Sequence, residues 1–254
     1  MYLNERVGVT GYQPIISLVP SQTELLHYLG LEKEVIAITK FCVHPTEWFK
    51  NKIKVGGTKT IDVEKIKALQ PSLIIANIEE NVKSQVEALS DFPVWLTDVN
   101  NLDDSLKMIA DVGSITGTSE KATILIKSIQ EKFSLLNKPV RPVNVAYLIW
   151  KEPYMTIGGD TFIHDMLTRT GMRNVFKHKL RYPQLTVEEI KDSGCELLLL
   201  SSEPFPFQQK HVDNLSNLLP GVQIKIVDGE MFSWYGSRLL KAAVYFKKLQ
   251  SESH

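Results

Sequence analysis

An internal repeat constrains this chain more than any other feature. Residues 62–79 (DVEKIKALQPSLIIANIE) recur 124 positions later as residues 186–203 (TVEEIKDSGCELLLLSSE), with no gap. Val63/Val187, Glu64/Glu188, Ile66/Ile190, Lys67/Lys191, Leu73/Leu197 and Glu79/Glu203 are identical, and Ile74, Ile75 and Ala76 stand opposite Leu198, Leu199 and Leu200. Each copy reads as a short helix, a turn, a buried strand and a polar loop ending in glutamate. A solenoid needs several copies at a shorter period, so a single repeat of this spacing implies a duplicated lobe.

The rest of the chain fits that division. Residues 15–19 read as a strand, and Ser21 with Glu24 three positions on reads as a capping box for a helix that stops at Gly30. Residues 34–39 form a second strand and residues 40–60 a long loop. Then follow helix 63–69, strand 73–77, helix 81–89, strand 94–97 and helix 102–115. The stretch 119–137 (SEKATILIKSIQEKFSLLN) carries Ala122, Leu125, Ile126, Ile129, Phe133 and Leu136 at helical spacing. It predicts one uninterrupted helix of roughly 28 Å. Beyond it come strand 143–150, helix 161–170, a loop at 176–185, the second repeat copy, a helical region 204–219, strand 224–227 and a closing helix 237–250. Strands that alternate with helices imply parallel sheets. The expected fold class is α/β: two similar parallel-sheet lobes, residues 1–117 and 140–254, joined by one long rigid helix within 118–139. The ligand cleft is expected between the lobes.

Charge excludes some partners. Lysine plus arginine number 29 against 29 acidic residues in 254, so no broad nucleic-acid surface is indicated. No apolar run approaches the roughly 18 residues of a membrane span. The opening MYLNERVGVTGYQ lacks a basic region followed by an apolar one, so no signal peptide is read and a cytoplasmic location stays open. Cys42 and Cys195 are too few for a disulfide framework.

In open parallel sheets ligands bind beyond the carboxyl ends of the strands. Those segments carry Phe41, Trp48, Trp150, Tyr154, Phe205, Phe207, Phe232, Trp234 and Tyr235, with Tyr182 in the loop before the second repeat copy. So many rings suit a large planar ligand, although any single loop aromatic is more often a packing anchor. His44, close to Cys42, reads as a structural or hydrogen-bonding residue, or as a direct ligand contact or metal ligand; no other metal ligand is expected. Arg238 meets an anionic ligand group or caps a carboxylate near the closing helix, with equal weight. Glu79, Glu80 and Glu203 are ordinarily solvated loop charges. The repeat, however, puts one acid at the same point of each lobe, as docking onto a two-fold symmetric basic partner requires. No nucleophile elbow, phosphate loop or zinc motif is present.

The segments IISLVPSQTELLHYLG and VGGTKTIDVEKIKALQPSLIIA, followed by the long central helix, resemble the substrate-binding proteins of ABC importers for vitamin B12 and ferric siderophores. The resemblance runs over about residues 15–249 and implies two α/β lobes on a rigid helix with the ligand between them. It implies ligand contacts at His44, Trp150, Tyr154, Tyr182 and residues 230–234, and docking of Glu203 with Glu79 or Glu80 onto a permease dimer. Asn77 and Thr58 stand where aromatic ligand contacts are expected of a corrinoid binder. The expected protein is a periplasmic, monomeric carrier of a cobalt or iron chelate, without catalysis and without a cofactor of its own. A cytoplasmic metal- or cofactor-dependent enzyme on a related fold and a zinc or manganese receptor remain as alternatives.

Overall fold

Both repeat copies fold into the same helix–strand pair in the computed structural model, which describes residues 13–136 and 139–252. The helices are Val63–Ala68 and Val187–Asp192, and the strands Leu73–Asn77 and Leu197–Ser201 are buried at every position. Both helices are six residues long, too short to persist without packing. Each is started by a side-chain cap: Asp62 accepts from the Lys65 amide at 3.0 Å, and Thr186 forms a capping box with Glu189. Each then buries one isoleucine, Ile66 or Ile190, completely.

The chain divides into two compact units. The first runs through Val99 and adds Asp103–Ser128 and Trp234–Arg238. Its elements are β1 (Ile15–Ser17), α1 (Pro20–Tyr28), β2 (Val35–Ile38), α2 (Thr46–Asn51), β3 (Ile53–Lys54), β4 (Gly56–Gly57), β5 (Thr60–Ile61), α3 (Val63–Ala68), β6 (Leu73–Asn77), α4 (Lys83–Glu87), β7 (Val94–Thr97), nearly all of α5 (Leu102–Ile115) and the first part of α6 (Ser119–Ser134). Its parallel sheet runs β3-β2-β1-β6-β7, and β4 and β5 make a separate hairpin. The core gathers Ile16, Leu18, Ile66, Ile74 and Leu89 under this sheet's apolar residues.

The second unit comprises Asn100–Leu102, Ile129–Ser233 and the chain from Leu239. It holds β8 (Val143–Trp150), β9 (Tyr154–Thr156), α7 (Phe162–Arg169), β10 (Met172–Asn174), β11 (Gln184–Leu185), α8 (Val187–Asp192), β12 (Leu197–Ser201), α9 (Gln209–Leu218), β13 (Gln223–Val227), α10 (Gly229–Ser233) and α11 (Leu239–Glu252). Strands β10, β8, β12 and β13 pair in parallel, and β9 and β11 add an antiparallel edge. The repeat strands hold equivalent places: β6 lies between β1 and β7, and β12 between β8 and β13. Its own core includes Leu148, Ile190, Leu198, Leu200 and Leu215.

Several sequence expectations change. Helix α1 begins at Pro20, and Val19, without a side-chain bond, takes the cap position. Proline suits the first helical position because its missing donor is not needed there. Ser21 is therefore inside the helix and buried, and the Glu24 carboxylate bonds elsewhere. Gly30 does end the turn, at a left-handed φ of 85°. The expected loop 40–60 contains α2 and three short strands, and the loop 176–185 ends in β11. Helix α6 stops at Ser134, short of the expected end. Asn137, the expected end, lies outside the described residues with Lys138, Ser253, His254 and residues 1–12. No helix among the described residues is long and apolar enough to cross a membrane.

Candidate functional site

In the first unit the strand ends assemble a compact group from three distant segments. The loop after β2 supplies His44, helix α1 supplies Glu24, and Trp234–Arg238 supplies an indole and a guanidinium. The His44 ring meets the Trp234 ring edge-on at 5.5 Å, and the Arg238 guanidinium lies 4.9 Å over that same indole. Arg238 Nε donates to Glu24 Oε2 at 2.7 Å, with both side chains nearly buried. Of the two readings of Arg238, the carboxylate partner is the one present in the fold. Gly236 donates its amide to the Ser105 hydroxyl at 3.1 Å, tying the segment to α5.

Asn77 and Tyr235 belong to a buried polar network behind this group. Gln22 donates to Thr97 Oγ1 at 2.6 Å, and Asn77 donates to the Thr97 carbonyl and hydroxyl. The Asn77 carboxamide oxygen accepts the amides of Glu79 and Glu80, so Asn77 fixes the loop after β6. Its side chain is committed inward, which is why no aromatic ring is required at that position. Thr58 is likewise buried, and its carbonyl accepts from Asn81. The Tyr235 phenol, near Gln22, Ser21 and Thr97, is pushed upward by burial and then by the Glu80 carboxylate. Burial raises the Glu80 carboxyl as well, against the pull of Lys59.

The remaining first-unit candidates separate sharply. Phe41 is 51% exposed, with the Lys40 ammonium 5.3 Å from its ring. Trp48 is only 1% exposed; it packs edge-on to His27 and donates to Glu32 at 2.5 Å. It anchors α2 and is not presented at the strand ends. Cys42 bonds the Thr23 and Thr39 hydroxyls at 3.1 Å each, and burial holds the thiol above its ordinary value. A buried protonated thiol of this kind is a poor metal ligand partner for His44. Among the described residues no three His, Cys, Asp or Glu side chains come together as a metal site.

In the second unit Trp150, at the end of β8, is 40% exposed and meets Phe205 at 5.7 Å. Tyr154 is half-buried on β9; burial raises its phenol while Lys151 opposes. Tyr182 is half-buried with the Arg181 guanidinium 5.7 Å over its ring. Phe207 is a core residue that meets Phe205 and His211 edge-on. Phe232 is 0% exposed, enclosed by Tyr147 at 5.3 Å and Phe246 at 4.8 Å. Glu79, Glu80 and Glu203 are half-buried, and the Ser233 hydroxyl donates to Glu203 at 2.7 Å.

Sequence reasoning placed Phe205 among the strand-end aromatics but not against Trp150, and it missed Arg181 as the partner of Tyr182. Adjacency to a candidate ring was the only signal for Arg181. Glu24 was read as a cap, and nothing in the sequence joins it to a residue 214 positions away.

Comparison with known proteins places the chain in context. A family described as periplasmic binding protein matches residues 15–216. The vitamin B12-binding protein of Vibrio campbellii is 28% identical over 199 residues, covering 74% of this chain and 70% of that protein. An uncharacterized ABC transporter substrate-binding lipoprotein of Bacillus subtilis, YvrC, is 28% identical over 190 residues, covering 69% and 59%. Among solved structures, the periplasmic heme binding protein HutB of Vibrio cholerae matches with a TM-score of 0.82 at 21% identity, over 94% of this chain and 99% of that one. That likeness is one of fold.

Proposed function

Since the chain belongs to the periplasmic binding protein family, we propose that it is the solute-binding component of an ABC import system. It captures a bulky metal chelate, a corrinoid such as cobalamin or a ferric siderophore or haem, and delivers it to a permease. Its activity is binding and not catalysis. The metal belongs to the cargo, and the protein carries no cofactor of its own. It acts as a monomer outside the cytoplasm.

The observation that carries this reading is a pair of rings in the second unit, Trp150 at the end of β8 and the half-buried Tyr182 just before β11, each with a neighbour against it, Phe205 or Arg181. A ring held from behind offers one face to a planar ligand at little entropic cost. In the first unit, by contrast, the Trp234 indole is buried, with Arg238 over its face and His44 edge-on. The names of the relatives, vitamin B12 and heme among them, favour a tetrapyrrole-sized cargo.

Docking on the permease is assigned to acids that the repeat retains. These are Glu79 in one unit and Glu203 in the other, with Glu80 beside Glu79, supplemented by Glu64 and Glu188, which are exposed in the first turns of α3 and α8. An exposed carboxylate pays less desolvation on meeting an arginine than a half-buried one already bonded to a serine.

Tryptophan-fluorescence titration tests the reading with cyanocobalamin, ferrichrome, haemin and zinc. Saturable quenching by one of the three chelates is the expected result. Quenching by zinc alone, or by none of the four, would overturn it.

A further inference from the structure

The second unit contains a polar cavity of about 440 Å³ that none of the aromatic candidates lines. Its walls are Asn100 and Asn101 before α5, the Gly159–Asp160–Thr161 turn, His164 and Asp165 in the first turn of α7, and Arg181. The backbone builds this wall deliberately tight. Gly158 donates to the Arg181 carbonyl at 2.7 Å and Gly159 to the Lys179 carbonyl at 3.0 Å. A Cβ at Gly158 would stand 2.5 Å from the Lys179 carbonyl oxygen and one at Gly159 2.2 Å from that of Lys177, so only glycine permits the approach.

Arg181 is held against its own preference. Its φ of 54° lies in the left-handed region, which costs a non-glycine residue about 1 kcal/mol. Asp160 Oδ1 compensates by accepting its amide at 2.6 Å. The guanidinium then reaches Asn100 Oδ1 at 3.3 Å and lies over the Tyr182 ring. Arg181 thus joins the cavity to a ring that the proposed function assigns to the ligand. A non-glycine residue kept in this conformation marks a site whose surroundings over-determine it.

Each charge lining the cavity has an opposite partner. Asp160 Oδ2 is 3.8 Å from Arg181, and Asp165 is paired with Arg169 at 2.8 Å and accepts the Leu102 amide at 2.7 Å. Burial keeps His164 below its ordinary value, and its Nδ1 faces the Asn174 amide nitrogen at 3.4 Å. Nδ1 therefore accepts, and the proton sits on Nε2 of a neutral ring. A carboxylate entering here finds no uncommitted counter-charge for its desolvation cost. A neutral group that both donates and accepts matches a wall of carboxamides, a hydroxyl and an imidazole.

We propose that this cavity is a subsite for the peripheral primary carboxamides of the chelate. It selects an amide-bearing corrinoid over a carboxylate-bearing porphyrin. The inference rests on the solute-binding reading above. Isothermal titration of dicyanocobinamide, of its fully hydrolysed hepta-acid, and of haemin and ferrichrome tests it on the wild type, on N100A/N101A and on the milder N101A. The wild type should prefer the amide form by tenfold or more. The double variant should lose about tenfold for cobinamide and change less than twofold for the acid, with N101A showing a smaller loss in the same sense. Equal affinity for the two corrinoids, or full cobinamide affinity in the variants, would overturn the subsite. Binding of haemin or ferrichrome without either corrinoid would overturn it while leaving the solute-binding reading intact; binding of none would overturn that reading itself.

Discussion

Glu80 shows how a single carboxyl couples this fold to pH. Burial raises its folded-state value, with Lys59 opposing, and its amide is bound to Asn77. A carboxyl raised on folding contributes stability that is present below the unfolded value, about pH 4.3, and is lost as pH rises through the folded value. Glu80→Gln stays neutral throughout. The melting temperature of that variant relative to wild type should therefore climb as pH rises above the unfolded value. An offset that does not change with pH would show that the buried carboxyl is not what couples the loop to pH. Arg238 illustrates the opposite solution, a buried charge matched at 2.7 Å by Glu24 and covered by an indole. Removing one member of such a pair leaves the other buried and uncompensated.

At the scale of elements, the repeat gives a symmetric expectation. Ile66 and Ile190 are both fully buried on six-residue helices that depend on packing. Ile66→Ala and Ile190→Ala should each cost about 2–5 kcal/mol by urea denaturation. A loss under about 1 kcal/mol at either site would mean that the two helices are not equivalent anchors. The strands 73–77, 94–97 and 143–150 and the helix 102–115 were legible from sequence because apolar runs and helical periodicity depend on local pattern alone. Strands β9 and β11 were not legible. They are three and two residues long, and only pairing with each other and with β8 makes them strands. Helix α2 hid in an expected loop for a similar reason: its one buried residue, Trp48, packs against His27 from another helix. Among the candidate residues, the strand-end rule identified the segments but not the direction of each ring. Trp150 and Phe232 look alike in sequence, yet one is 40% exposed and the other 0%. The difference is set by Tyr147 and Phe246, which no local pattern connects to Phe232.

For the whole molecule, the family assignment makes capture and delivery two separable properties. Delivery is predicted to depend on acids in both units. Replacing Glu64 and Glu188, or Glu79, Glu80 and Glu203, by alanine should weaken binding to permease-containing liposomes while leaving chelate affinity within twofold. If both sets of substitutions leave permease binding unchanged, docking by these acids is wrong. Capture is the central claim, and equilibrium dialysis measures it most directly. The wild-type protein and the Trp150→Ala/Tyr182→Ala variant are dialysed against cyanocobalamin, ferrichrome and haemin. Loss of two stacking partners at about 0.5–1.5 kcal/mol each predicts a weakening of at least roughly fivefold. The expected result is one chelate retained per wild-type chain, with that much weaker retention by the variant. Failure of the wild type to retain any of the three, or equal retention by the variant, would contradict the assignment of these strand ends to a chelate.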